Sequence, residues 1–277
     1  MEKFIIFTDL DGTLLDYLTY SFEKALPALE LISQRAIPLI LCSSKTKTEI
    51  EYYRKKLANA HPFISENGGG IFIPKKYFDF PLLPASYSIE EETDYDVIRL
   101  GTLYADLRNA VKELQLEGFD IKGFGDMTAK ELAAIANMAT DEAVMAKARD
   151  FDEPFIYKGP NHELPRLFRS INQRGFTFTQ GRFFHILGGS DKGVAVSILA
   201  DLYKRQYGNI KTIALGDSPN DIPMLERVDF PVCVQKYDGI YDPQIDMPKL
   251  IKADGIGPEG WNKALVEFLH RIRQEHH

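Results

Sequence analysis

The chain has 277 residues, with 33 Lys and Arg against 40 Asp and Glu and a formal net charge of -7. Hydrophobic residues make up 44% and charged residues 26%, a composition typical of a folded globular protein and not of a disordered one. The acidic balance argues against general binding to nucleic acid or to an anionic membrane surface, although a local basic pocket could still bind a small anion.

Two cysteines, Cys42 and Cys233, lie in apolar runs and are too few to build a disulfide framework. We therefore expect buried thiols in a reducing compartment. No run approaches ~20 apolar residues, and Asp9 interrupts the apolar stretch that an N-terminal signal peptide would need. The expected location is the cytoplasm, with no segment that crosses a membrane.

The first 83 residues alternate between continuous apolar runs and amphipathic segments. Thr46 and Glu49 have the spacing of a helix capping box. Continuous apolar strands that alternate with helices indicate a parallel sheet covered on both faces. The predicted elements are a strand at 3–8, a helix at 22–36, a strand at 37–42, a helix at 46–58 and a hairpin around the glycines at 68–70.

The segment 84–187 has a different pattern, with Pro84 and Ser86 at its entry and three glutamates at 90–92. We predict strands at 95–100, 119–122, 155–159, 176–180 and 182–187, and helices at 103–116, 163–174 and, as one or two helices, up to 148.

The segment 188–277 returns to the first pattern, with predicted helices at 191–207, 219–228 and 258–274 and strands at 210–216 and 230–235. The outer blocks share a pattern that the middle lacks. The predicted fold class is therefore α/β, with a Rossmann-like parallel sheet formed by 1–83 and 188–277. An α+β domain at 84–187 is inserted into it, with hinges near Pro84 and near Gly188 and Gly189.

The strongest candidate for chemistry is Asp9-Leu10-Asp11-Gly12-Thr13, directly after the first strand. Acids two positions apart at a strand end can reach the sheet edge where open α/β sheets bind ligands. Gly12 allows a sharp turn and Thr13 can hydrogen-bond within it. Asp11 and Gly12 could instead be an ordinary turn dipeptide.

A second acidic cluster, Gly216-Asp217-Ser218-Pro219-Asn220-Asp221, follows the strand at 210–216. Asp221 could simply interact with the dipole of the following helix. Together the two loops bring up to four carboxylates into one place, where a divalent cation would relieve their repulsion. Mg²⁺ suits a few carboxylates plus a substrate phosphate. The predicted metal ligands are Asp9, Asp11, Asp217 and Asp221.

Two weaker signals lie at other strand and helix ends. Ser43, Ser44 and Lys45 follow the strand at 37–42 and offer hydroxyl and N–H groups to an anion. Lys192 opens the helix at 191–207, where a positive charge opposes the helix dipole and so indicates an anionic partner. Each of these could also be an ordinary cap or turn.

In this order the four motifs resemble those of the haloacid dehalogenase superfamily of phosphotransferases. The resemblance implies that Asp9 is a nucleophile that forms an aspartyl-phosphate and that Asp11 is the general acid and base. It also implies that Ser43 and Lys192 bind the transferred phosphoryl group, and that Asp217, supported by Asp221, holds Mg²⁺ or Mn²⁺.

The position of the insertion resembles the superfamily's C2-type cap. Three stretches, CSSKTKTEI, ISENGGGIFIP and GRFFHILGGSDKG, are similar to the mannosyl-3-phosphoglycerate phosphatase family. This resemblance implies hydrolysis of mannosyl-3-phosphoglycerate to mannosylglycerate and phosphate. A glucosyl-3-phosphoglycerate or hexose phosphate substrate, and a phosphomutase reaction, stay open at this point, as does a monomer or a homodimer.

A small acidic, phosphorylated sugar substrate requires a locally basic pocket. We favour Arg182 as the best single candidate for its carboxylate, whereas Arg166, Arg169 and Arg174 could equally form a solvated helix face. His185, on an apolar strand, is expected to be a core residue. The predicted substrate-binding residues are Ser44, Lys45, Glu66, Asn67, Gly68, Gly69, Arg182 and Asn220.

Overall fold

The computed structural model describes residues 3–82 and 87–275. The strands in these ranges are β1 (Lys3–Thr8), β2 (Leu39–Cys42), β3 (Phe63–Ser65), β4 (Gly70–Pro74), β5 (Ser88–Glu91), β6 (Tyr95–Arg99), β7 (Ile121–Gly123), β8 (Asp152–Tyr157), β9 (Thr177–Gln180), β10 (Phe184–Leu187), β11 (Ile210–Gly216), β12 (Phe230–Gln235) and β13 (Ile251–Ile256).

The helices are α1 (Leu26–Gln34), α2 (Lys47–Lys56), α3 (Tyr104–Leu116), α4 (Ala129–Ala136), α5 (Thr140–Ala146), α6 (Leu164–Gln173), α7 (Lys192–Tyr207), α8 (Ile222–Leu225) and α9 (Pro258–Glu275). Within the described ranges, no helix combines the length and apolar character needed to cross a membrane.

The larger sheet has nine strands in the order β13-β12-β11-β1-β2-β3-β4-β6-β5. The six strands from β13 to β3 are parallel, and β4, β6 and β5 continue the sheet in antiparallel fashion. One face packs against α1, α2 and α9, and the other against α7 and α8. This two-sided covering explains why the central strands are continuously apolar, and it confirms the predicted α/β core.

The smaller sheet has the order β7-β8-β10-β9 and is antiparallel. Leu107 and Val111 of α3 and Leu167 of α6 pack on one of its faces. A separate cluster that includes Leu132 of α4 and Ala143 of α5 packs against the other face. This unit is inserted between β6 and α7 and contains the α+β elements expected for the insertion.

The strand at 95–100 is predicted to lie in the insertion, but the structure places it in the larger sheet. It forms as β6 and pairs with β4 of the larger sheet. Both of its faces are covered, because Val97 packs into one core cluster and Ile98 into the other. An apolar run shows that a strand is buried but not which sheet buries it. The predicted hinge near Pro84 lies outside the described residues.

Two strands are missing from the sequence prediction. β5 contains Glu90 and Glu91 of the acidic stretch for which no element was predicted, and it is a mostly exposed edge strand where charged side chains are favourable. β13 closes the opposite edge and has an irregular register next to β12. The helix predicted at 219–228 is shorter, a 3₁₀ turn at Pro219–Asp221 followed by α8. The capping box of Thr46 and Glu49 is confirmed at the start of α2.

Candidate active site

The first acidic motif lies at the carboxyl end of β1, at the centre of the larger sheet. The backbone N–H of Asp9 donates to the carbonyl of Leu215 on β11 over 3.0 Å, which continues the ladder up to the acid. Gly12 has a φ of +81°, and a Cβ on it would lie 2.8 Å from Oδ2 of Asp217. Glycine therefore allows the first acidic loop to approach the second.

Three buried carboxylates surround one buried lysine at this edge. The Nζ of Lys192 lies 2.7 Å from Oδ1 of Asp9 and 2.7 Å from Oδ1 of Asp221. Asp9, Asp217 and Asp221 each offer an oxygen within 4.8 Å of the others. Thr13 donates to Asp217 over 3.2 Å. The structure thus brings together four residues that the sequence placed in three separate motifs.

The electrostatics of this cluster leave a negative excess. Burial raises the pKa of Asp9 well above its usual range, although Lys192 opposes the shift. Burial and the neighbouring Asp221 raise the pKa of Asp217 to about 7. Burial alone would lower the pKa of Lys192, but Asp221 and Asp9 outweigh it and raise that pKa. Three carboxylates against one ammonium group are a donor set that fits a hard divalent cation.

Asp11 lies apart from this group of three carboxylates. Its Oδ2 lies 3.0 Å from the Nζ of Lys45, and its side chain is 28% exposed at the cavity described below. The chain turns at Gly12, whose N–H donates to the carbonyl of Leu15. The Asp11 side chain is thus not part of the group of three carboxylates, although Asp11 and Asp9 line the same cavity, and its role as a metal ligand stays a prediction.

The loop after β2 lies beside the acids. Ser43 is fully buried, and its Oγ accepts the N–H of Lys45 over 3.3 Å. Lys45 also lies 3.4 Å from Glu49. Burial alone would lower the pKa of Lys45, but Asp11 and Glu49 raise it. Ser44 and Lys45 line the cavity, and substrate binding by them stays a prediction.

The cavity has a volume of about 200 Å³ and lies between the larger sheet and the insertion. Its wall carries four bases, two from each side. Lys45 and Lys236 come from loops of the larger sheet, whereas Arg149 and Arg182 come from the insertion. The lining also carries four acids, Asp9, Asp11, Glu49 and Asp217, so bases and acids balance there, although the whole chain is acidic.

Glu66 does not face this cavity, in contrast to its predicted role in substrate binding. Its buried carboxylate accepts the backbone N–H groups of Asp150 and Phe151, at 3.0 and 2.9 Å. Burial raises its pKa to about 8, against the opposing effect of Arg149. Glu66 connects the hairpin after β3 to the chain that enters β8, which is a structural role.

The other residues of this turn also make internal contacts. The side chain of Asn67 donates to Asp152 over 2.7 Å and accepts from Asn220 over 3.1 Å. A Cβ on Gly69 would lie 2.3 Å from Phe151. Asn67, Gly68 and Gly69 do not line the cavity, whereas Asn220 does. The glycines serve close packing, so the prediction that they bind substrate is not supported.

We expect Gly68→Ala to destabilise the protein strongly, because a Cβ there would lie 2.1 Å from the carbonyl oxygen of Asp191. The matched control is Gly118→Ala, since Gly118 has a φ of +92° against +94° for Gly68 but no atom within 4 Å of its Cβ. The control carries only the backbone penalty, about 1 kcal/mol. Measured by urea unfolding, Gly68→Ala should lower the free energy of unfolding by about 2 kcal/mol or more beyond the effect of Gly118→Ala. Equal losses would contradict the packing role.

Several cavity residues were missed from the sequence. Arg149 donates to the carbonyls of Ser44 and Ala146 and is almost fully buried. Lys236 pairs with Asp242 at 2.7 Å. His185 also lines the cavity and is not only a core residue. Neither spacing nor a motif marks these side chains, which become neighbours only when the two units pack together.

Arg182, the candidate for binding the substrate carboxylate, lines the cavity, and its Nη1 donates to the hydroxyl of Tyr20 over 2.7 Å. In contrast, Arg166 and Arg174 interact with Glu113 and Glu117 on the outside of the insertion. These two arginines form the solvated helix face, one of the two readings that the sequence left open.

Comparison with known proteins agrees with this geometry. A curated protein of Methanococcoides burtonii, named glucosyl-3-phosphoglycerate/mannosyl-3-phosphoglycerate phosphatase, is 45% identical over 269 residues, covering 96% of this chain and 97% of that protein. A Persephonella marina protein of the same name is 41% identical over 273 residues and 98% of each chain.

The crystal structure of Thermoplasma acidophilum 0175 superposes with a TM-score of 0.69 at 17% identity, covering 97% of this chain and 99% of that one, and so shows the same fold. Residues 6–93 and 133–238 match the family described as haloacid dehalogenase-like hydrolase. The matches include the loops that carry Asp9, Asp11, Ser43, Lys192 and Asp217. The chain belongs to the haloacid dehalogenase-like hydrolase family.

Proposed function

We propose that the protein is a Mg²⁺-dependent phosphatase that hydrolyses mannosyl-3-phosphoglycerate and glucosyl-3-phosphoglycerate to the glycosylglycerate and phosphate. The observation that carries this proposal is the buried Asp9 beside Lys192 at the floor of a cavity walled by four bases. The names of the two relatives, which share the full length of the chain, supply the substrate class.

In the proposed mechanism, Asp9 attacks the phosphorus atom and forms an aspartyl-phosphate. Asp11 protonates the leaving alkoxide and then takes a proton from the water that hydrolyses this intermediate. Lys192 and Ser43 neutralise phosphoryl oxygens. Asp9, Asp217 and Asp221 would hold Mg²⁺, which when bound offsets the repulsion between the carboxylates and the phosphate.

We also propose that the chain consists of a catalytic core and an inserted cap. Residues up to 100 and from 188 onward form the catalytic core, and 101–187 form a C2-type cap over the cavity. This division moves the predicted boundary to the carboxyl side of β6, because that strand pairs with β4. Thr46 of the core donates to the carbonyl of Met145, and Arg149 donates to that of Ser44. These bonds support a cap that closes on the loop after β2.

The charges of the cavity fit a substrate with two acidic groups. Lys45 lies beside the acids and suits the phosphoryl end, whereas Arg182 projects from the insertion and suits the carboxylate of the glycerate. The free thiols of Cys42 and Cys233 are buried, which is consistent with action in the cytoplasm.

A phosphate-release screen tests this proposal. The substrates are mannosyl- and glucosyl-3-phosphoglycerate, 3-phosphoglycerate, mannose 6-phosphate and glucose 6-phosphate, each with Mg²⁺, with Mn²⁺ and with EDTA. We expect the two glycosyl phosphoglycerates to have the highest kcat/KM and EDTA to abolish turnover. A hexose phosphate that wins by a wide margin would overturn the substrate class, and an isomeric sugar phosphate as the product would indicate a phosphomutase.

A further inference from the structure

A chain of side-chain hydrogen bonds crosses from the second acidic loop to the smaller sheet. Asn220 donates to Asn67 over 3.1 Å, and Asn67 donates to Oδ2 of Asp152 over 2.7 Å. Nδ1 of His185 lies 2.9 Å from both oxygens of Asp152. All four residues are more than nine-tenths buried, and the two end residues, Asn220 and His185, line the cavity.

The carboxylate of Asp152 determines which group donates and which accepts in each of these hydrogen bonds. An ionised carboxylate can only accept, so Asn67 must present its NH₂ group to it and its carbonyl oxygen to Asn220. For the same reason His185 must carry a proton on Nδ1. In the neutral imidazole the other nitrogen, Nε2, is then an acceptor, and no residue in the described part of the chain bonds to it.

The wall around His185 differs from the opposite side of the cavity. Phe124, Met138, Pro154 and Phe183 of the insertion line it, whereas Asp9, Asp11, Lys45, Asp217 and Lys236 come from the core. Pro154 is the cross-strand partner of His185. Arg149 and Arg182 of the insertion line the cavity as well, so the insertion offers apolar side chains and one fixed acceptor beside two cations. The apolar side chains and the acceptor suit a sugar ring, which combines apolar C–H faces with hydroxyl donors.

We propose that His185 is a specificity-determining residue that accepts a hydrogen bond from a sugar hydroxyl through Nε2, and that Asp152 is a positioning residue that fixes its tautomer. This inference rests on the proposed function, because it concerns the glycosyl part of that substrate. A carboxylate or phosphate offers no donor to Nε2, so the charged ends of the substrate bind the lysines and arginines instead.

The key variant is His185→Asn, because the shorter amide can keep a donor towards Asp152 while the group at the Nε2 position is lost. We expect the ratio of kcat/KM for the glycosyl phosphoglycerate to kcat/KM for p-nitrophenyl phosphate to fall about tenfold, mainly through KM. His185→Gln places an amide oxygen near the Nε2 position and should restore part of this ratio. His162→Asn, on the exposed side of the insertion, is the matched control and should keep the wild-type ratio.

Substrate analogues identify the hydroxyl. The monodeoxy glycosyl phosphoglycerate that lacks the bound hydroxyl should lower kcat/KM of the wild type as much as His185→Asn lowers kcat/KM for the full substrate. When His185→Asn acts on that analogue, kcat/KM should fall no further. Additive losses for every analogue, or a wild-type ratio in His185→Asn, would overturn the assignment.

The role of Asp152 has a separate readout. In Asp152→Asn the amide oxygen accepts from Asn67, as Oδ2 of Asp152 does, and the NH₂ group faces Nδ1 of His185. Nδ1 must then accept, which favours the tautomer with the proton on Nε2. We expect the ¹⁵N chemical shifts of His185 to report this exchange and the substrate ratio to fall as in His185→Asn. An unchanged tautomer would contradict the positioning role. If the screen selects another sugar phosphate, the proposed function fails, and the same comparison with that sugar phosphate still decides the role of His185.

Discussion

Asp9→Asn is expected to lower the rate of phosphate release by at least about 1,000-fold, because the amide that replaces the proposed nucleophile cannot attack phosphorus. The loss should appear with every substrate that the wild type hydrolyses, since the proposed aspartyl-phosphate is common to all of them. The measurement is steady-state phosphate release at saturating Mg²⁺, with both a glycosyl phosphoglycerate and p-nitrophenyl phosphate.

The fold should survive this change. Burial makes the ionised form of Asp9 unfavourable, and an amide of the same shape removes one of three neighbouring negative charges while Lys192 keeps its contact with Asp221. We therefore expect a thermal midpoint at or above that of the wild type in EDTA. Asp201→Asn, whose side chain is 76% exposed on α7, is the matched control and should change neither activity nor stability. Activity of more than a few per cent in Asp9→Asn would exclude it as the nucleophile.

The acids of the candidate site could be predicted from the sequence because their placement is a local property. Asp9 and Asp217 follow continuous apolar strands directly, Asp221 ends the short turn after β11, and parallel strands bring their carboxyl ends to one edge. Once β1 and β11 are neighbours in the sheet, Asp9, Asp217 and Asp221 lie close together. Lys192 could be predicted for a similar reason, since a cation at a helix start is unfavourable without an anionic partner.

The substrate end of the cavity could not be predicted in this way. Arg149, Lys236 and His185 lie in three separate segments, and they meet only when the insertion packs over the core. Glu66 and Asn67 show the opposite failure. They are polar residues next to a glycine turn, which suggested a substrate-binding site, yet packing against Phe151 and Asp152 buries them and satisfies their polar groups. Long-range packing determines which polar groups stay free.

The fold prediction was incorrect for β6 and omitted β5, because the sequence of a strand does not show which strand it pairs with. β6 is buried on both faces, so its composition is the same whether it belongs to the core or to the insertion. β5 is an edge strand, and its glutamates favour solvent exposure more than they favour a loop. In contrast, the predictions for β1, α7 and β11 match closely, because their periodicity and end signals agree.

Lys192→Met is expected to destabilise the protein by about 3–5 kcal/mol in EDTA at pH 8, because it removes the buried cation that pairs with Asp9 and Asp221. Methionine has a similar length, so the loss reflects charge and not a cavity. The helix dipole acts in the opposite direction, but removal of a cation from the first turn of α7 stabilises by only about 0.3–1 kcal/mol.

The matched control is Lys204→Met on the same helix, whose side chain is 60% exposed and should change stability by less than about 0.5 kcal/mol. The double variant Lys192→Met with Asp221→Asn should recover part of the loss, since one of the two stranded carboxylates is then neutral. Urea unfolding of the wild type, Lys192→Met, Asp221→Asn and the double variant gives the coupling free energy between the two residues. If Lys192→Met is no less stable than Lys204→Met, the ammonium group does not balance the acids, and the charge balance derived for the floor of the cavity is incorrect.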